Sequence, residues 1–280
     1  MALGLNIITG YAGQVSLGHA AFYAFGAYTT AILTTKLGWP WFITMPLSVV
    51  VAAGLGVLLG LPSLRLKEDF LAIVTLGLGL VTQSLALYLP FTGGSLGIGG
   101  IPYPSIGGFS FSTGTFFLLV AVLVALGIAL SLVLDRSWIG LGWRALRDDE
   151  LAARAMGLDV TRLKVLAFAI GAGYAGLAGA LLAHHLGFII AYNFGFNESI
   201  TALAMIVVGG MGTVRGALLG ALLLAMAPEL FRPLADYRMS VYGALIVVVM
   251  AFQPGGLLGE RSWIGRRLKV RSLRWRAKHG

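Results

Sequence analysis

The sequence predicts an all-α polytopic membrane helical bundle of about eight spans, with one short amphipathic helix on its cytoplasmic side. Three observations carry that prediction. Of 280 residues, 58% are hydrophobic and 11% charged, whereas a soluble domain carries about 25% charged residues. The apolar residues come in long runs: no Asp, Glu, Lys or Arg occurs in 1–35, 37–64 or 70–134, and further such runs cover 165–197, 199–214 and 239–259. Most of these reach the ~20 residues that a helix needs to cross a bilayer. The charged residues, finally, gather in a few connections, the densest being "RALRDDELAARAMGLDVTRLK" at 144–164.

Taken in order, the spans are placed at 14–35, 41–61, 69–90, 114–134, 162–186, 198–213, 216–229 and 238–254. Ahead of the first, "MALGLNIITGYAG" has neither a charged leading region nor a small-residue cleavage site, so it is not a signal peptide. It reads as the tail of a hydrophobic helix, one that is short or starts upstream. The pair 198–213 and 216–229 is short for full crossings. "GGMGTVRG" between them is either a tight turn or a break in one element. The 40 glycines suit helices that pack closely in lipid, where small residues let backbones approach. Ala172, Gly176 and Ala180 form an i+4 row, with Gly179 and Ala183 beside it, and are read as a helix–helix contact face. "GVLLG" at 56–60 and "GALLG" at 216–220 are read as packing patterns too.

Orientation follows from Lys and Arg in the connections, which favour the cytoplasmic side. Arg65 and Lys67 lie in 62–69, and Arg136, Arg144, Arg147, Arg154, Arg162 and Lys164 in 135–164. Arg215 sits in the 210–216 break. The tail 261–280 carries Arg261, Arg266, Arg267, Lys269, Arg271, Arg274, Arg276 and Lys278. Loops 91–113 and 187–197 carry none. Provided the 210–216 break faces that side too, these basic regions fall on one side. Residues 1–260 are read as the transmembrane domain, with a cytoplasmic loop at about 135–161, and 261–280 as a basic cytoplasmic tail. The net charge of +9 belongs to anionic lipid headgroups, where each near-surface charge is worth ~1 kcal/mol, and not to nucleic acid.

Within the charged insert, Asp148 or Asp149 is placed to cap a short helix. Asp148, Asp149 and Glu150 fall in its first turn, where the helix dipole favours negative charge. Gly157 stands where a left-handed terminating residue belongs. Leu151, Ala152, Ala155 and Met156 recur as one apolar stripe, with Ala153 and Arg154 between them and Asp149 and Arg154 on other faces. Asp159 or Thr161 caps the following span. A helix of this kind docks in a partner's groove or lies along the headgroups as a connector, and the pattern leaves both open.

Other polar positions divide in the same way. "GYAGQVSLGHAAF" places Gly13, Gln14, Ser16, Gly18 and His19 in a glycine-interrupted, membrane-level segment. Such segments mark unwound helix beside a transport path; the alternative is a packing kink with His19 bonded to a carbonyl. His184 and His185 are adjacent and point apart, which does not suit the three or four ligands of a metal site; an interfacial or packing role is expected. Glu198 is placed in a helix's first turn with Asn197 as its cap. There is no cysteine, so thiol chemistry is excluded.

The motifs choose among these readings. "LGLNIITGYAGQVSLGHAAFYAFGAYTTAIL", "FTGGSLGIGGIP", "WRALRDDELAARAMGLDVTRLKVLAFAIGAGYAGLAGALLAHHLGFI", "MIVVGGMGTVRGALLGALLL" and "FQPGGLLG" occur in order and cover nearly the whole chain. They resemble the branched-chain amino acid ABC permease family, and within its two subunit types the M-type. "LAARAMG" looks like the family's coupling loop, with Leu151 where Glu is expected and Glu150 just ahead. Two further departures are that family members usually have another hydrophobic helix before "LGLN", and that Leu96 stands where the outer loop often has Asp. The resemblance implies a bacterial inner-membrane permease subunit that works with a second, H-type permease, two cytoplasmic ATPases and an extracytoplasmic substrate-binding protein. The helix at 148–157 then docks on an ATPase and follows its closure. The chain has no G-x-x-x-x-G-K-[ST] phosphate loop, so ATP is a partner's ligand, no cofactor is expected here, and the chain is not an enzyme. The resemblance leaves the solute open between branched-chain amino acids and urea or short amides. A secondary transporter or channel is the alternative class, but its usual ionisable residues deep in the membrane are missing from the spans apart from His19. A membrane-embedded enzyme ranks last, since the spans hold no paired carboxylates and no nucleophile–base motif.

Overall fold

The computed structural model describes residues 1–64, 68–106, 109–230, 238–252 and 255–259. Helices dominate it. The chain opens with α1 (Ala2–Leu5), which runs into a π-helical stretch at Asn6–Tyr11, and then unwinds over residues 12–18. Next come α2 (His19–Lys36), α3 (Trp41–Gly60), α4 (Glu68–Tyr88), α5 (Thr113–Arg136), α6 (Trp138–Asp148), α7 (Glu150–Ala155), α8 (Val160–Leu186), α9 (Phe196–Gly209), α10 (Val214–Leu230) and α11 (Arg238–Phe252). Among the described residues, four stretches are long and apolar enough to cross a membrane: Trp41–Leu64, Phe70–Tyr88, Thr113–Arg136 and Val160–Leu186.

Local sequence sets the ends of these helices. Pro40 sits in extended conformation as the cap before α3, and Pro90 follows the end of α4, consistent with the way proline biases the residue ahead of it out of the helix. Ser112 Oγ accepts from Thr115 N at 3.4 Å to open α5. Asp159 Oδ1 accepts from Arg162 N at 3.0 Å to open α8, which makes Asp159 the cap rather than Thr161. Gly187, at φ +66°, closes it.

The core is a three-helix contact of α2, α3 and α8. Gly176 faces Gly26 of α2 on one side and Ser48 and Ala52 of α3 on the other, and Gly179 lies against the α2 backbone at Tyr23 and Ala27. A Cβ at Gly176 would sit 2.5 Å from Ala52 Cβ and 2.8 Å from Ser48 O. The i+4 row of small residues on α8 is thus what lets the backbones come together, the arrangement expected where dispersion rather than the hydrophobic effect joins helices. A hydroxyl pair lies in the same seam: Thr30 Oγ1 and Ser48 Oγ are 2.7 Å apart, and Ser48 Oγ donates to Thr44 O at 2.8 Å. By contrast α5 exposes Phe117, Leu118, Val122, Leu126 and Val133, an apolar surface suited to lipid.

α9 and α10 form a hairpin across a tight turn at 210–213, with Gly209 against Gly216 and Gly220 against Met205. "GGMGTVRG" is therefore a turn between two short helices. The connection 89–112 is folded: β1 (Ile98–Gly99), β2 (Ser105–Ile106) and β3 (Phe109–Ser110) lie in it, and β4 (Phe188–Ile189) follows α8. β1 pairs antiparallel with β4, Ile98 opposite Ile189, and β2 with β3. His184 Nδ1 bonds Pro102 O at 2.8 Å, while the His185 ring stacks on Phe116, so the two adjacent histidines face different neighbours.

Three expectations need correction. The first span does not begin at 14; residues 12–18 are unwound, with Gly13 at φ +72° and Leu17 N given to Thr75 Oγ1, and helix starts at His19. The insert holds two helices, α6 as well as α7, and Asp148 ends the first instead of entering the second. Asn197 lies inside α9, whose cap position is Gly195. The span placed at 238–254 is helical over Arg238–Phe252, and 253–254 lie outside the described residues. Arg65, Lys67 and the tail 261–280 also lie outside them.

If the seam is what joins the core, Gly176→Leu should lower the stability of the detergent-purified protein by about 1–3 kcal/mol, the usual cost of overpacking. Gly54→Leu, on the open face of α3 where nothing lies within 4 Å, should stay within about 0.5 kcal/mol. Thermal unfolding of the two variants side by side checks this.

Candidate functional site

The two ends of the bundle differ in kind. One is built from β1–β4, Lys36 donating to Phe91 O at 2.7 Å, and Trp41 Nε1 donating to Ser105 O at 3.0 Å. The other gathers α6, α7, the 210–213 turn and the start of α8, and it carries exposed Arg136, Arg154, Arg162 and Arg215.

α6 is amphipathic. Gly140, Trp143 and Leu146 recur at i, i+3 and i+6 and are buried together with Gly142. Trp143 is fully buried and donates Nε1–H to Leu163 O at 2.8 Å, which satisfies the polar handle of a large apolar side chain. Ser137 caps this helix by accepting from Gly140 N at 3.3 Å. Arg144 pairs with Asp135 across the α5–α6 corner.

α7 is short and clamped at both ends. Asp149 leaves the helical region and its Oδ1 accepts from Ala152 N at 3.0 Å. Gly157 adopts φ +83°, the left-handed terminator its position predicted. Leu158 N then returns to Ala153 O at 3.1 Å, the pairing pattern of a glycine-terminated helix end. Ala153 alone of the helix is buried, in a cluster with Ile7, Tyr11, Ala12, Trp143, Leu146, Val160, Ala167 and Val214. Glu150 reaches both ways: Oε1 accepts from Arg154 at 3.2 Å, and Oε2 from Lys164 Nζ at 2.8 Å. Lys164 is itself only 3% exposed and also reaches Ser63 O at 3.4 Å.

The consequence is a ridge. Leu151 is 77% and Met156 84% exposed, with Ala152 and Ala155 exposed between them. The apolar stripe points away from the bundle, on a helix whose opposite side is fixed by Ala153 and Glu150. Large exposed apolar side chains grouped together mark contact surfaces.

The glycine-interrupted segment is placed behind this ridge. Gln14, Ser16 and His19 are buried, Gly13 turns with φ +72°, and the His19 ring meets Phe22 edge-on at 5.8 Å. Gly18 lies against the α4 backbone at Thr75. The backbone of the unwound segment and of the α2 start beside it finds protein partners. Leu17 N donates to Thr75 Oγ1 at 3.0 Å, Ala20 N to Ser199 Oγ at 2.9 Å, and Thr9 Oγ1 to Gln14 O at 3.0 Å. Ser199 lies about 15 Å along α9 from the 210–213 turn at 1.5 Å per residue, so α2 starts part-way across the bundle. Sequence patterns marked the glycines and His19 here but missed Thr75, Ser199, Asn6, Arg147 and Lys164.

A profile of the family described as "Branched-chain amino acid transport system / permease component" matches residues 1–250. The chain is 40% identical over 283 residues to the high-affinity branched-chain amino acid transport system permease protein LivM of Salmonella typhimurium, covering 92% of this chain and 67% of the relative. The corresponding LivM of Escherichia coli matches to the same extent. To the LivH permease protein of Salmonella typhimurium the identity is 26% over 93% of this chain and 90% of the relative. No solved structure matches with significance. A helical bundle with four spans of membrane length, a profile that runs through its folded part, and an identity higher to LivM than to LivH lead to one conclusion: the chain belongs to the branched-chain amino acid transport system permease family.

Proposed function

We propose that the chain is one permease subunit of a binding-protein-dependent ABC importer in the bacterial cytoplasmic membrane, with branched-chain amino acids as its solutes. It crosses the membrane about eight times, the shorter helices α2 and α9–α11 joining the four long ones. A second, H-type permease completes the pathway. Two ATPases bind and hydrolyse ATP on the cytoplasmic side, where the basic tail 261–280 lies on the headgroups, and an extracytoplasmic binding protein delivers the solute. The observation that carries the reading is the exposed ridge Leu151, Ala152, Ala155 and Met156 on a helix pinned from behind. A free connector helix would turn its apolar side to the bundle or the lipid. This one spends Ala153 and Glu150 on the bundle and leaves its large apolar groups outward. On that reading Asp148–Gly157 is the ATPase-docking element, and Leu151 supplies apolar contact where other family members carry Glu. Gly13, Gln14, Ser16, Gly18 and His19 belong to the helix interruption beside the pathway.

Transport follows from differential docking. A helix that binds both states of the ATPase pair equally shifts nothing; one that fits the closed state better is carried with it, and the spans attached to it rock.

Reconstituted vesicles test the function. The purified chain alone should move no solute, whereas vesicles that also hold the second permease and the ATPases, given binding protein, should take up leucine when ATP is supplied. Unlabelled isoleucine and valine should compete, and urea or short amides should not. Uptake by the chain alone under an ion gradient would overturn the reading.

Ala152→Glu or Ala155→Glu should reduce ATPase recovery in co-purification at least about tenfold, equivalent to ~1.4 kcal/mol, with membrane insertion unchanged. Full recovery would contradict docking through this face.

A further inference from the structure

Arg147 stands where three segments of the chain meet. Its Nη1 donates to Gly10 O at 2.7 Å, one of the last carbonyls of the helix that ends at Tyr11. Helix C-termini carry partial negative charge and favour a cation, and a guanidinium makes such a bond stronger than a neutral donor does. The stem of the same side chain fills the space beside Gly13: a Cβ there would lie 3.0 Å from Arg147 Cγ and 3.2 Å from its Cα. The Gly212 backbone rests against the guanidinium. Gly212 N in turn donates to Asn6 Oδ1 at 2.9 Å, and Asn6 Nδ2 donates to Thr213 O at 3.2 Å. The 255–259 segment is tied to the same place, with Leu257 N on Val208 O at 2.9 Å, Leu258 N on Gly209 O at 2.8 Å and Thr213 Oγ1 on Leu258 O at 3.3 Å.

On the other side, Arg147 belongs to a firm block. It sits one turn from fully buried Trp143, and only Asp148 and Asp149 separate it from α7. Ala153 of α7 and Trp143 and Leu146 of α6 share one cluster with Ile7, Tyr11 and Ala12. Packed apolar surfaces alone permit sliding; a charged hydrogen bond to one named carbonyl fixes register.

We propose that Arg147 is the positioning residue that carries displacement of the docking helix into the unwound segment 12–18, and so to the start of α2. This rests on the docking of α7 to an ATPase and adds to it the route by which docking reaches the membrane interior. Arg147 touches neither solute nor ATPase in this scheme; it transmits.

The test uses the assembled transporter with the variants Arg147→Gln and Arg147→Lys. Three quantities are read: ATPase recovered with the permease, ATP hydrolysed without binding protein, and solute taken up per ATP hydrolysed. Arg147→Gln should keep recovery and unstimulated hydrolysis within about twofold of the unaltered complex and lower solute per ATP about tenfold or more. Arg147→Lys, which retains a cationic donor for Gly10 O, should fall between. If Arg147→Gln assembles poorly, the lysine variant decides, since solute per ATP is independent of how much complex forms. Unchanged solute per ATP in the assembled variants overturns the proposal, and so does a loss of uptake that only parallels a loss of complex. If the unaltered chain recovers no ATPase, the docking reading falls first and this inference with it.

Discussion

Unwound backbone inside an apolar bundle is stable only where protein or water satisfies its polar groups, and residues 12–18 put that constraint at the centre of this structure. Neighbouring elements hold the segment and its two ends: within it Leu17 N donates to Thr75 of α4 and Gln14 O accepts from Thr9 of the π-helical turn, and just outside it Ala20 N donates to Ser199 of α9 and Gly10 O accepts from Arg147 of α6. Each of those elements must be in place for the segment to hold its shape. The segment in turn sets where α2 begins, and α2 is one of the three helices of the core. The π-helical stretch before it belongs to the same device, since Asn6 in it bonds the 210–213 backbone at Gly212 N and Thr213 O. Such turns recur at functional sites.

The seam of small residues and the exposed ridge of α7 answer opposite demands. Along α8, Gly176 and Gly179 remove side chains so that helices touch. On α7, Leu151 and Met156 keep large side chains and turn them outward. The first makes a rigid body of α2, α3 and α8; the second gives that body an external handle. Glu150 joins the two, holding exposed Arg154 with one oxygen and buried Lys164 with the other.

Much of this fold is legible in the sequence, for identifiable reasons. Length and apolar content locate helices that cross lipid, because the bilayer accepts little else, and α3, α4, α5 and α8 lie where the runs place them. Asp149, Asp159 and Gly157 are legible as caps because capping is local chemistry. The apolar stripe of α7 is legible as a stripe, but periodicity does not say which way it faces; that depends on Ala153 finding Trp143 and Val160. The start of α2 is not legible. Hydropathy treats 14–18 as continuous with the apolar residues of α2, whereas the break depends on hydroxyls at Thr75 and Ser199, distant in sequence. Arg147 is hidden for a related reason. As a charge it counts toward topology, and only the fold shows that its guanidinium turns inward to a carbonyl 137 positions away.

α8 begins directly after α7, at the Asp159 cap, and ends where Gly187 and β4 are bonded to Ile101 and β1. Its 27 residues make a rod of about 40 Å at 1.5 Å per residue. A rod of that length tilted by about 5° around one end displaces the other by about 3.5 Å, by the same geometry. Because the strand pair fastens the far loop to the tip of the rod, a small angular change beside α7 is delivered on the opposite face as a translation comparable to the width of a water molecule, with no need for the helix itself to bend.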